Sequence, residues 1–222
     1  MSGTSEPNLA EGGELSRPDE TLDRACQLLL ARGTALSVPE LAQQLGHSPA
    51  MVVQTIERFE RLGRIRRDGA GRIVASVGVS VVPADYELRV GPVHCWTWCA
   101  KTGLGVLGAL GAGGTLATRC LASGQDLLVR FTAEQPAPSC YGVLWPSREL
   151  QNSCTSAADQ LCATFSLFAT AEAAGDWART HNLDATVITL QEATHRSTAR
   201  YRHSLQLPAR RNELLRYPQY PW

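Results

Sequence analysis

The sequence predicts an α+β fold: an N-terminal winged helix-turn-helix domain followed by a domain built on a mixed or antiparallel sheet. Three observations predict it. Three short segments with helical spacing, each with its own start or stop signal, fill residues 19–62. A β-hairpin pattern rich in arginine follows at once. Beyond residue 78, short β-branched and apolar runs separated by turns alternate with only a few helical stretches. Apolar residues make up 44% of the 222-residue chain, enough for a substantial core.

Taken in order, residues 1–18 are small and polar and read as a disordered leader. A first helix is expected over 19–32, where Leu22, Cys26, Leu29 and Leu30 line one face and Gly33 stops it. Ser37 with Glu40 three residues on forms a capping box for a second helix, ended by Gly46. Ser48-Pro49 opens a third, carrying Val52, Ile56, Phe59 and Leu62 at helical spacing. Residues 64–67 alternate, 68–71 turn and 72–75 return, which is a hairpin. This winged helix-turn-helix spans 19–77.

The second domain is expected over 78–205. Its strands are placed at 86–94, 116–120, 126–132, 142–145, 164–168 and 186–190, with Ser123-Gly124 turning the second into the third. Helices are placed at 172–181, around Trp177, and at 193–205. Residues 206–222, rich in Pro and Arg, read as an irregular tail.

Composition excludes several classes. With 21 basic and 21 acidic residues, no global field recruits nucleic acid or an anionic membrane. No apolar stretch is long enough to span a bilayer, and the N-terminal residues lack the apolar run of a secretion signal. A soluble, cytoplasmic protein is therefore expected. There, its seven cysteines would stay reduced.

The most unusual segment is His94-Cys95-Trp96-Thr97-Trp98-Cys99-Ala100-Lys101-Thr102. A thiol walled by indoles is shielded from water and suits a soft metal ion or a hydrophobic substrate. On spacing alone, buried aromatics with incidental cysteines account for the segment slightly better. Cys95 fits the strand preceding Cys99 and reads as core. A second thiol, Cys162, stands just before a strand, where a loop end can present it to a cavity.

Together these segments resemble the organomercurial (alkylmercury) lyases. That family carries an aromatic-Trp-Cys-Ala-x-Asp segment, matched by Trp96-Thr97-Trp98-Cys99-Ala100-Lys101-Thr102. Its central cysteine in a strand pair is matched by Cys120. Its second catalytic cysteine precedes a Phe-Ala-Ser/Thr strand and an Asp-Trp-Ala helix, here Cys162, Phe168-Ala169-Thr170 and Asp176-Trp177-Ala178. The resemblance covers residues 20–205 and includes a winged-helix-like opening domain.

The resemblance implies that Cys99 and Cys162 are the catalytic, mercury-holding pair, Trp98 and Trp96 pocket walls, and Cys120 structural. The substrate would be an organomercurial or another small molecule, with cytosolic thiols as partners. Mercury(II) or another soft metal ion would be held as substrate or product, and no cofactor is required. Where the family has its Asp, this sequence has Thr102, whose hydroxyl can hydrogen-bond but cannot ionise usefully. Three alternatives follow: a soft-metal-binding protein without turnover, the same fold acting on another substrate, and a thiol- or metal-responsive winged-helix regulator.

Other signals are discounted. Gly103-Leu104-Gly105-Val106-Leu107-Gly108 spells GxGxxG but lacks a βαβ context, so it reads as a packing segment. The wing offers Arg64, Arg66, Arg67 and Arg72 to phosphates. The third helix, however, opens Pro49-Ala50-Met51-Val52-Val53, with little that reads bases, so nucleic acid is not the expected partner. His195, Arg196, Arg200, Arg202 and His203 read as a solvated basic face. Cys140 and Cys154 read as loop thiols, and no His/Cys spacing matches a structural zinc site.

Overall fold

The computed structural model describes residues 19–132 and 135–206, so the expected leader and the tail from residue 207 onward lie outside it. Its first helix, α1 (Glu20–Arg32), starts at Asp19, whose carboxylate accepts from the Thr21 and Leu22 amides. Gly33 closes α1 in the left-handed region, at φ 65°. The second, α2 (Val38–Leu45), begins with the Ser37–Glu40 capping box and ends at Gly46. The third, α3 (Pro49–Arg61), is capped by Ser48. Leu22, Leu29, Leu41, Val52, Ile56 and Phe59 share one core with Ile65 and Ile73 of the hairpin β1 (Ile65–Arg67) and β2 (Ile73–Ser76).

The hairpin continues into the rest of the molecule. Strand β2 pairs with β3 (Val79–Ser80), and β3 pairs with β5 (Val93–Thr97), itself the partner of β4 (Tyr86–Val90). Then come β6 (Gly114–Arg119), β7 (Asp126–Thr132) and β8 (Gln135–Ala137). The result is one antiparallel eight-stranded sheet in the order β1-β2-β3-β5-β4-β6-β7-β8. A second, three-stranded sheet has β9 (Gly142–Pro146) between β10 (Leu167–Phe168) and β11 (Ala185–Thr189), all antiparallel. Helices α4 (Ala100–Leu110), α5 (Arg148–Ser153), α6 (Ala171–Thr180) and α7 (Leu190–Ser204) complete an α+β architecture.

Two strand expectations are corrected. Residues 86–94 are not one strand: Gly91, at φ 53°, turns β4 back into β5. The Gly91-Pro92 pair was the available turn signal. Residues 164–168 hold only the two-residue β10. Before it, Ala157–Leu161 form a π-helical turn and Cys162–Thr164 a 3₁₀ turn.

The glycine-rich segment is helix α4, and its glycines set how closely α7 approaches. A Cβ on Gly105 would lie 2.4 Å from Tyr201 Cδ2, and one on Gly108 would lie 2.4 Å from Thr198 Oγ1. Without side chains there, the two helices pack backbone to ring. This places Tyr201 and Thr102, one from each helix, within reach of each other. Among the described residues, no helix is long and apolar enough to cross a membrane.

Candidate active site

Cys99 is the N-cap residue of α4, with extended backbone at φ −157° and ψ 166° and no side-chain cap of its own. The segment is held from both sides. The Trp98 amide donates to the Gly78 carbonyl (2.9 Å), and the Ala100 amide donates to the Phe165 carbonyl (3.0 Å). The sulfur thus sits where the helix's first free amides and its dipole favour negative charge. Thr102, one turn on, has its Oγ1 3.4 Å from Cys99 Sγ.

Cys162 reaches the same place from the other side. It follows the π-helical turn, whose Ala157 and Ala158 amides donate to the Leu62 and Gly63 carbonyls at 2.8 and 3.1 Å. Those carbonyls lie at the end of α3, so the N-terminal helices help hold the second thiol. An Arg66–Asp159 ion pair at 2.6 Å ties the same turn to β1. This clamp lies at the end of the segment between Pro146 and Cys162, whose structure the sequence left unread.

Cys99, Cys162, Thr102 and Trp98 all line one cavity of about 230 Å³. That is smaller than the roughly 300–1,000 Å³ of sites for drug-sized ligands. Trp145 and Phe165 wall it, edge to face with centroids 4.8 Å apart. All seven cysteines are free. Among the described residues, no group of three or more Cys, His, Asp or Glu gathers to hold a metal ion, so the cavity offers two sulfurs and no third such ligand.

The two thiols, brought into one cavity, titrate apart. Burial opposes ionisation of Cys99. Donation from the Cys162 thiol and from the Thr102 hydroxyl and amide, with the Lys101 charge nearby, overcomes it and brings Cys99 down to about 7. Cys162 moves the other way, well above the ordinary thiol range, because its proton serves Cys99 and because it is buried. The first proton of the pair is thus lost near neutral pH, with Cys99 the favoured thiolate and Cys162 the thiol that keeps its proton.

Thr102 is itself held in place. The Tyr201 hydroxyl lies 2.9 Å from both Thr102 Oγ1 and the Val77 carbonyl. Gly78, at φ 92°, brings the backbone so near that a Cβ would stand 2.3 Å from Thr102 Oγ1.

One of the expected pocket residues falls elsewhere. Trp96 does not line the cavity. It alternates with the buried Cys95 and Thr97 along β5, so it projects to the opposite face and packs on His94, with ring centroids 4.6 Å apart. Cys120 is buried at the turn after β6, away from the cavity lining, with its amide donating to Gln125. Cys95 is buried in the core of the sheet. Cys154 packs beside the Cys99–Leu161–Phe165 cluster and donates to the Leu150 carbonyl.

Sequence reasoning missed Lys101, Tyr201, Arg196 and Arg200, all of which line the cavity. The last two were read as solvated surface. The available signal was the four-residue spacing that puts Arg196 and Arg200 on one stripe of α7, beside Tyr201.

Residues 79–202, more than half of the chain, match the family model described as alkylmercury lyase. Among solved structures, the mercury-bound form of MerB2 is similar, with a TM-score of 0.73 and 23% identity over 85% of this chain and 92% of that one. No curated protein matches the sequence.

Proposed function

The chain belongs to the alkylmercury lyase family, and on that footing we propose that it cleaves carbon–mercury bonds by protonolysis at Cys99 and Cys162. The substrates would be organomercurials handed over by thiols in the cytoplasm. The observation that carries this reading is the convergence of two thiols, Cys99 and Cys162, on one small, aromatic-walled cavity.

The chemistry needs both protonation states. The Cys99 thiolate displaces a carrier thiolate from R–Hg–SR′ and forms a mercury–sulfur bond, a match of soft donor and soft metal. The Cys162 sulfur then binds mercury as its proton passes to carbon. The electron pair of the carbon–mercury bond stays with carbon, so R–H leaves and Hg(II) remains on two sulfurs. Two carrier thiols remove the Hg(II) and return a proton to each cysteine. Mercury keeps its oxidation state throughout, so the reaction asks for no redox partner.

Thr102 takes the position at which the resemblance expects an Asp. Its hydroxyl donates to the Cys99 sulfur and accepts from Tyr201, which orients the thiolate. In this reading the proton delivered to carbon comes from Cys162. Trp98 closes the cavity, with the Arg66 guanidinium carbon 5.2 Å from its ring.

The test is a phenylmercury protonolysis assay with benzene as the readout, in excess thiol. Cleavage by the wild type, lost in Cys99→Ala and in Cys162→Ala, is the expected result. An intact substrate with the wild-type protein sinks the proposal. A second reading, tight binding of a soft metal ion without turnover, is favoured by one observation: no Asp or Glu is among the described residues lining the cavity. It predicts stoichiometric uptake without benzene, and benzene release gained in Thr102→Asp.

A further inference from the structure

The cavity is cationic as well as thiol-bearing. Lys101, Arg196 and Arg200 line it together, and no carboxylate does among the described residues. Arg196 and Arg200 have acidic partners, Glu192 and Asp23, but both of those lie outside the lining. Arg200 spends one nitrogen on Asp23 at 3.1 Å, while its Nη1 is buried with no hydrogen-bond partner among the described residues. A buried guanidinium N–H left without an acceptor is costly, and this one is a donor with no protein acceptor among the described residues.

Lys101 has no carboxylate partner among the described residues. Its ammonium stands 4.6 Å from the Phe165 ring and 5.7 Å from the Trp145 ring, and Arg196 approaches Trp145 at 5.4 Å. Two cations thus converge on one indole at the cavity wall. These cations share the cavity lining with Cys99 and Cys162, so with mercury on the sulfurs they face the bound organic group. An apolar substrate would leave them uncompensated.

We propose that the preferred substrates are organomercurials whose organic group carries an anion, such as a ring carboxylate, held by Arg200 and Lys101. The proposal rests on the lyase reading and deepens it by naming a substrate class. The aromatic walls take the ring, the two thiols take the mercury, and the guanidinium and ammonium take the carboxylate by charge-assisted hydrogen bonds.

The experiment compares 4-carboxyphenylmercury with its neutral carboxamide analogue, which matches it in size and differs in charge. The quantity read is the ratio of kcat/KM for the two, in the wild type, Lys101→Met, Lys101→Arg and Arg200→Lys. The ratio is read as a pH profile, because burial pushes the Lys101 ammonium down and its charge must persist while Cys99 is ionised. A charge-assisted hydrogen bond favours the carboxylate by about 10- to 100-fold. The ratio should collapse toward one in Lys101→Met, be largely retained in Lys101→Arg, and fall in Arg200→Lys, which keeps a charge for Asp23 but loses the guanidinium fork.

A wild-type ratio at or below one overturns the proposal, as does a ratio that neither Lys101→Met nor Arg200→Lys lowers. If neither compound is cleaved, the lyase reading fails. The preference is then read from the glutathione concentration needed to strip each mercurial from the protein. Equal concentrations for the two compounds overturn the substrate class by that route as well.

Discussion

Replacing Thr102 with Val tests how the cavity makes a thiolate. The change removes the hydroxyl 3.4 Å from Cys99 Sγ while preserving the branched shape that Gly78 and α7 enclose. The Tyr201 hydroxyl keeps the Val77 carbonyl as a partner at 2.9 Å, so no buried hydroxyl is orphaned. A hydrogen bond to a charged group contributes about 1.5–3 kcal/mol, which corresponds to roughly one to two pH units. Cys99, held at about 7 in the wild type, should therefore titrate about one to two units higher in the variant.

The sign follows from which form reacts. The thiolate is the nucleophile, so reactivity is present above the Cys99 pKa and lost as pH falls through it. The assay is the pH dependence of iodoacetamide alkylation, read on the Cys99 peptide by mass spectrometry so that the exposed Cys140 does not interfere. The wild-type rate should fall by half near pH 7 on acidification. The Thr102→Val rate should do so correspondingly higher. An unchanged midpoint in the variant would refute the claim that the Thr102 hydroxyl stabilises the thiolate.

Further predictions address other parts of the structure. Cys162→Ala should still capture one equivalent of phenylmercury at Cys99 but release no benzene; mass spectrometry of the adduct reads both. Gly105→Val drives a side chain into the Tyr201 ring and should cost about 1–3 kcal/mol, lowering Tm by about 2–12 °C in a thermal melt. The Arg66–Asp159 pair is half exposed on one side and more so on the other. Asp159→Asn should therefore change stability by less than about 1 kcal/mol in a urea titration.

Local signals read well from sequence where the physics is local. Ser37 and Ser48 cap their helices through side-chain bonds to amides three residues on, and those partners are visible in the chain itself. Strand placement read well where alternation is clean, as in β7. Reading failed where one turn signal was passed over, at Gly91-Pro92, and where a short segment is held by distant carbonyls, as in the π-helical turn before Cys162. The indole pair was misread on one side because it was judged by composition. Alternation along β5 sends Trp96 away from the cavity that Trp98 closes.

By itself, the sequence determined the α+β class and the capped helices, because capping and periodicity depend on neighbours in the chain, and it singled out the two thiols only through a family resemblance. Only the tertiary structure decided what surrounds those thiols. The glycine face of α4 lets α7 approach until Tyr201 meets Thr102 and Arg200 lines the cavity, a contact between residues about a hundred positions apart. Charge has the same origin. Lys101, Arg196 and Arg200 are unremarkable along the chain and become one cationic wall only when two helices pack, since the field at a point sums over whatever folding brings near it.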